Sequence, residues 1–103
     1  MGSEKRGNSR SAFFATVEVV ELQSSAYLKG QTSDLSLTGC YLDMLNPLPV
    51  TTEVRVRLTH KDETFTALGM VTHSQANFGM GIGFTTIEVD QEWVLDQWLA
   101  GID

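Results

Sequence analysis

The chain has 103 residues, 42% of them apolar, and a formal charge of −6 from 13 acidic and seven basic side chains. That size fits one domain with a modest core, its single cysteine excludes an internal disulfide framework, and no window approaches the roughly 18 apolar residues of a membrane-spanning helix. Residues 11–103 carry four basic against 12 acidic side chains, a balance that repels the phosphates on which polymeric nucleic-acid binding depends. With no apolar secretory leader and a lone thiol, the expected location is cytoplasmic, without membrane insertion.

Residues 1–10 (MGSEKRGNSR) hold Lys5, Arg6 and Arg10, three of the seven basic residues, and have no hydrophobic period. They read as a polar arm, and the expected division is a flexible arm over 1–12 followed by one domain over 13–103. From Phe13 to Leu22 the pattern is that of a half-buried strand: Phe13, Ala15, Val17 and Val19 alternate with Phe14, Thr16 and Glu18. Gln23 to Ser25 form a turn, and Ala26 to Ser33 pair back as a second strand. Asp34 to Thr38 continue extended, with the backbone bending at Gly39. In that extended reading Asp34 and Ser36 stand side by side on one face, about 7 Å apart at the backbone. Leu35 and Leu37 then point into the core.

Cys40 to Met44 form a short strand, ended by Asn46-Pro47-Leu48-Pro49. In Val54-Arg-Val-Arg-Leu58 the aliphatic side chains face in and Arg55 and Arg57 face out. Lys61-Asp62-Glu63 is a turn, and Phe65 to Ser74 and Gly79 to Thr85 make a hairpin joined by Gln75 to Phe78. The period then changes. Asp90 is the expected N-cap of a helix with Glu92 in its first turn, an apolar face of Trp93, Val94, Leu95, Trp98, Leu99 and Ile102, and a stop at Gly101. Six or seven strands and one helix imply an all-β fold, a small antiparallel barrel whose closure hides its sheet edges.

Two stretches carry binding chemistry. The Asp34 carboxylate can accept from the N1–H and exocyclic amine of guanine, and the Ser36 hydroxyl can reach a phosphate. Gly39 allows close backbone approach. The forked guanidinium groups of Arg6 and Arg10 match either the O6/N7 edge of guanine or phosphate oxygens, and their flat faces stack on purines. Together they suit one small, doubly charged, guanine-containing ligand. His60 and His73 lack partners at metal-ligand spacing, and Cys40 reads as a small core residue. Trp93 and Trp98 read as core-packing side chains. Gly79, Gly81 and Gly83 precede strand-like residues, not a helix, so they indicate close strand packing and not a phosphate loop.

These residues resemble a known family. Arg6-Gly-Asn-Ser-Arg10 fits the RxxxR motif of PilZ domains, and Asp34-Leu-Ser-Leu-Thr-Gly39 fits their (D/N)xSxxG motif. The spacing between the motifs, the hairpin ending Gly79-Met-Gly-Ile-Gly-Phe84 and the terminal helix are similar as well. The resemblance implies a six-stranded antiparallel β-barrel of the PilZ-like split-barrel kind with a C-terminal α-helix. It also implies a non-enzymatic receptor for the bacterial second messenger cyclic di-GMP, needing no cofactor or metal. Carried over, Arg6 and Arg10 clamp guanine and phosphate from the arm, and Asp34, Ser36 and Gly39 form the barrel-side wall. Lys5 takes the neighbouring position that influences whether one ligand or a stacked pair is held. Gly83 stands where many relatives carry a polar side chain. A chain with no output domain implies a downstream protein partner; the alternative is an adaptor of the same fold that binds no nucleotide.

Overall fold

The computed structural model describes residues 11–101, so Lys5, Arg6, Arg10 and Ile102 lie outside the described residues. The strands are β1 (Ser11–Ala12), β2 (Thr16–Glu21), β3 (Tyr27–Leu35), β4 (Gly39–Asp43), β5 (Glu53–His60), β6 (Glu63–Gln75) and β7 (Gly79–Thr86), followed by α1 (Val89–Ala100). All pairings are antiparallel. The order β3-β2-β5-β6-β7-β4 closes through a β3–β4 pairing into a six-stranded barrel, and β1 adds to β3. This is the expected architecture with one short extra strand.

Alternation drives closure. Val54, Val56 and Leu58 are fully buried while Arg55 and Arg57 on the same strand are exposed. Val17 and Val19, Leu35, Cys40 and Leu42, Phe65, Val71, Met80 and Ile82 converge from the other strands on the same interior. Each large aliphatic or aromatic side chain withdrawn from water contributes about 1.5–3 kcal/mol. The Lys61-Asp62 turn joins His60 to its partner Glu63 with φ of 50° and 69°, the positive pair that a two-residue hairpin turn needs to match strand twist.

The strand expected from Phe13 to Leu22 is interrupted at residues 13–15, and Thr32 explains how. Its fully buried hydroxyl donates to the Phe13 carbonyl at 2.8 Å and accepts from the Ala15 amide at 2.9 Å. One side chain thus bridges the gap between β1 and β2 and leaves Phe13 and Ala15 facing the core.

Registered β6–β7 pairing ends at Leu68 and Thr86, so the first residues of β6 need another cover on that flank. Helix α1 supplies it. Gln91 Oε1 accepts from the Thr66 amide at 2.7 Å, and Trp98 Nε1 donates to Glu63 at 2.9 Å. The Trp98 ring, 5% exposed, lies 5.2 Å from Phe13 and 6.2 Å from Phe65 between ring centroids. Two helix expectations are corrected. The N-cap is Glu88, whose carbonyl accepts from the Gln91 and Glu92 amides and whose side chain makes no capping bond; Asp90 sits inside the first turn with Glu92. Trp93 is 60% exposed, because the barrel-facing arc holds Val94, Leu95, Trp98 and Leu99 and the helical period turns Trp93 outward.

Thr32→Val keeps the shape but orphans two buried backbone groups. It should lower unfolding free energy by about 1–3 kcal/mol in urea titration, while Thr32→Ser retains most of the stability. Equal stability of the valine variant and the parent would contradict the bridging role.

Candidate functional site

The Asp34–Gly39 motif is the β3–β4 hairpin. Strand β3 ends at Leu35, Ser36 to Thr38 form the connection, and Gly39 opens β4. The loop is closed by its own groups. The Ser36 amide donates to the Gly39 carbonyl at 2.9 Å, and the Ser36 hydroxyl donates to the same oxygen at 3.3 Å while accepting from the Thr38 amide at 3.2 Å. Ser36 is 1% exposed. The expected side-by-side display of Asp34 and Ser36 on one strand face is therefore corrected, since the chain leaves the strand before Ser36. For the same reason Leu37, expected in the core, is 41% exposed.

Gly39 is positioned by packing. A Cβ there would lie 2.2 Å from the Ile82 carbonyl oxygen on β7, so only glycine lets β4 approach β7 closely enough for Gly39 to pair with Gly83. Gly79 repeats the device at the far end of the pair, where a Cβ would meet the Leu42 oxygen at 2.0 Å. The expectation of close strand packing for the glycine-rich hairpin holds there.

Asp34 is half-buried on the outer side of β3, and its Oδ1 accepts from the Tyr41 amide at 3.1 Å, which fixes the carboxylate on the barrel wall. Its row continues across three strands: Asp34 pairs with Tyr41, Tyr41 with Gly81, and Gly81 with His73. Gly81 presents no side chain, and the Tyr41 and His73 rings flank it at a centroid distance of 6.3 Å. The result is a shallow, ring-sided surface beside a fixed carboxylate. Sequence reasoning missed Tyr41, whose only advance signal is its outward phase on a strand that starts at the motif glycine.

On the other flank of β3, Ser11 pairs with Leu35 and Ala12 with Asp34. The segment that carries Lys5, Arg6 and Arg10 is therefore attached to the barrel at the motif strand itself. His60 belongs elsewhere: its Nδ1 lies 3.1 Å from the Phe14 carbonyl, which can only accept, so Nδ1 carries the proton. Among the described residues no group of three or more His, Cys, Asp or Glu side chains is placed to hold a metal ion. Cys40 is fully buried in the core.

A closed six-stranded barrel, a motif hairpin and a strand tying the N-terminal segment to it agree with the family comparison. The PilZ domain model matches residues 4–101, and the chain belongs to that family. Solved structures agree. The PilZ domain of CeSA from a cellulose-synthesizing bacterium is 25% identical with a TM-score of 0.72, the match covering 90% of this chain and 96% of that one. The PilZ domain with c-di-GMP of YcgR from Escherichia coli is 12% identical with a TM-score of 0.70, covering 91% and 88% of the two chains. The Borreliella burgdorferi PlzA protein in complex with c-di-GMP is 14% identical with a TM-score of 0.65; the match covers 95% of this chain but 42% of PlzA. The comparison with curated proteins gives no significant match. Among the described residues no helix is long and apolar enough to cross a membrane.

Gly39→Ala should force β4 and β7 apart and lower unfolding free energy by about 1–3 kcal/mol, the range of overpacked interiors. Thermal or urea unfolding without any ligand checks this. An unchanged midpoint would mean that the glycine serves only a ligand.

Proposed function

We propose that this chain is a cytoplasmic cyclic di-GMP receptor without catalysis of its own, in which the segment holding Arg6 and Arg10 closes over a ligand lying on the Asp34 face. The observation that carries the reading is the β1–β3 register, with Ser11 beside Leu35 and Ala12 beside Asp34. Chain length alone keeps Arg6, five residues before Ser11, within about 18 Å of that point. Arg10 is the residue next to it. Electrostatics favour the same division of labour. Residues 11–103 are strongly acidic, so two ligand phosphates need the arm's guanidinium groups, while the fixed Asp34 carboxylate suits the donor edge of guanine. Lys5 adds a third cation and bears on whether one ligand or two are held.

Binding would alter a surface read by a partner protein. Strand β1 leads directly into Phe13, whose ring rests 4.4 Å from His60 and 5.2 Å from Trp98 of α1, so a ligand-induced shift of β1 would be passed to the helix. One observation favours the second reading, an adaptor that binds no nucleotide. Ser36 and Gly39 are both accounted for by hairpin closure and strand packing alone.

Titration calorimetry separates the two. The receptor reading expects saturable heat with cyclic di-GMP, and Arg6→Ala and Arg10→Ala should each weaken binding by about 1.5–3 kcal/mol, tenfold to more than a hundredfold, at unchanged melting temperature. No heat at high micromolar ligand selects the adaptor. Asp34→Ala should lose discrimination between guanine and adenine cyclic dinucleotides more than total phosphate attraction; equal loss for both would remove Asp34 from base recognition.

A further inference from the structure

The exposed charges of the described residues are sorted by face. Of their four cations, Lys29, Arg55 and Arg57 lie together on the outer side of β3, β2 and β5, where Glu18 pairs with both Lys29 and Arg57 in register and Val20 pairs with Tyr27 and Arg55. Glu18 is engaged within that face. It accepts from Tyr27 Oη at 2.9 Å and lies 3.8 Å from Arg57, and the hydrogen bond to this carboxylate raises the Tyr27 phenol above its ordinary pKa. Between these side chains runs an open groove of about 510 Å³, floored by Val20, Thr64 and Thr66 and walled by Tyr27 and the two arginines.

Helix α1 has the opposite character. Its outward stripe holds Val89, 83% exposed, and Trp93, 60% exposed, flanked by Asp90, Glu92 and Asp96, with no basic residue in the last turn. The two faces adjoin: a smaller cavity of about 140 Å³ is lined both by Arg55 and Thr66 of the groove and by Glu88 at the helix start.

Complementary patches that lie side by side on one molecule can be satisfied twice over by a two-fold axis, each copy giving its helix to the other's groove. We infer that this chain forms a two-fold dimer in which the Val89/Trp93 stripe of α1 seats in the Tyr27/Arg55/Arg57 groove of a second copy. Glu92 and Asp96 then oppose the arginines. The contact centres on a tryptophan, a tyrosine and arginines, the side chains that dominate binding energy at protein interfaces. It also covers an exposed tryptophan whose surroundings in one copy leave it in water. The inference does not depend on nucleotide binding.

Charge reversal tests it. Sedimentation of the full chain from micromolar to millimolar concentration should show a monomer–dimer equilibrium that weakens with added salt. Arg55→Glu with Arg57→Glu, and separately Glu92→Lys with Asp96→Lys, should each raise the dissociation constant at least about tenfold. An equimolar mixture of the two double variants should recover a mixed dimer, because each variant's helix then meets an opposite groove. Trp93→Ala should weaken association independently of charge. All five changes are on exposed side chains, so melting temperatures near that of the parent are the folding control. A parent that stays monomeric at millimolar concentration, or reversed variants that dimerise like the parent and fail to prefer each other, would overturn the assignment.

Discussion

Strand β3 hydrogen-bonds on both flanks, to β2 and β1 on one side and to β4 on the other, and the barrel closes only because it does. Buried backbone groups must find partners, and an open six-stranded sheet of this size would leave two edges exposed. Two local devices make the double pairing possible. Thr32 replaces missing backbone bonds where β1 gives way to β2, and Gly39 removes the Cβ that would hold β4 away from β7. The same strand carries Asp34, so the acidic wall of the candidate site is fixed by the closure of the fold.

That arrangement assigns different work to residues within one motif. Ser36 and Gly39 sit in the machinery of the hairpin, whereas Asp34 faces outward with its Oδ1 tied to the Tyr41 amide. On the proposed reading such a motif constrains its residues twice, once for folding and once for ligand. Loss of binding on changing Ser36 or Gly39 would be ambiguous on its own, and Asp34 and the arm arginines are the positions at which the proposed function can be tested apart from stability. Helix α1 is tied into the same structure: it covers the flank of β6 that β7 leaves and packs Trp98 on Phe13, which follows the strand anchoring the arm.

The barrel was legible wherever one side chain in two is apolar. Val54 to Leu58 and Gly79 to Thr85 fall within strands β5 and β7, because strict alternation reports burial on one face of a sheet. Alternation could not reveal where a strand stops. The Asp34–Thr38 stretch reads as extended, yet the chain turns after Leu35, and the phases assigned to Ser36 and Leu37 changed with it. Nor could it separate Trp93 from Trp98. Both are apolar and five apart on a helix, and which one is buried depends on where β6 lies. Thr32 was invisible for a related reason, since a threonine that bridges two distant carbonyl and amide groups looks in sequence like any strand threonine. Of the candidate site, Asp34, Ser36 and Gly39 were legible as a motif, of which the structure turns Asp34 outward and engages Ser36 and Gly39 in the hairpin, while Tyr41 entered only through the cross-strand register.

The central claim is that the basic N-terminal segment and the Asp34 face form one cyclic di-GMP site. Amide spectra of the isotope-labelled full chain, recorded with and without the messenger, test it most directly. The account predicts that shifts concentrate at Lys5 to Ala12, Asp34 and Tyr41, with contacts appearing between the Arg10 side chain and the Asp34 strand. Shifts confined to the Tyr27 and Arg55 face, or absent at saturating messenger, would contradict it.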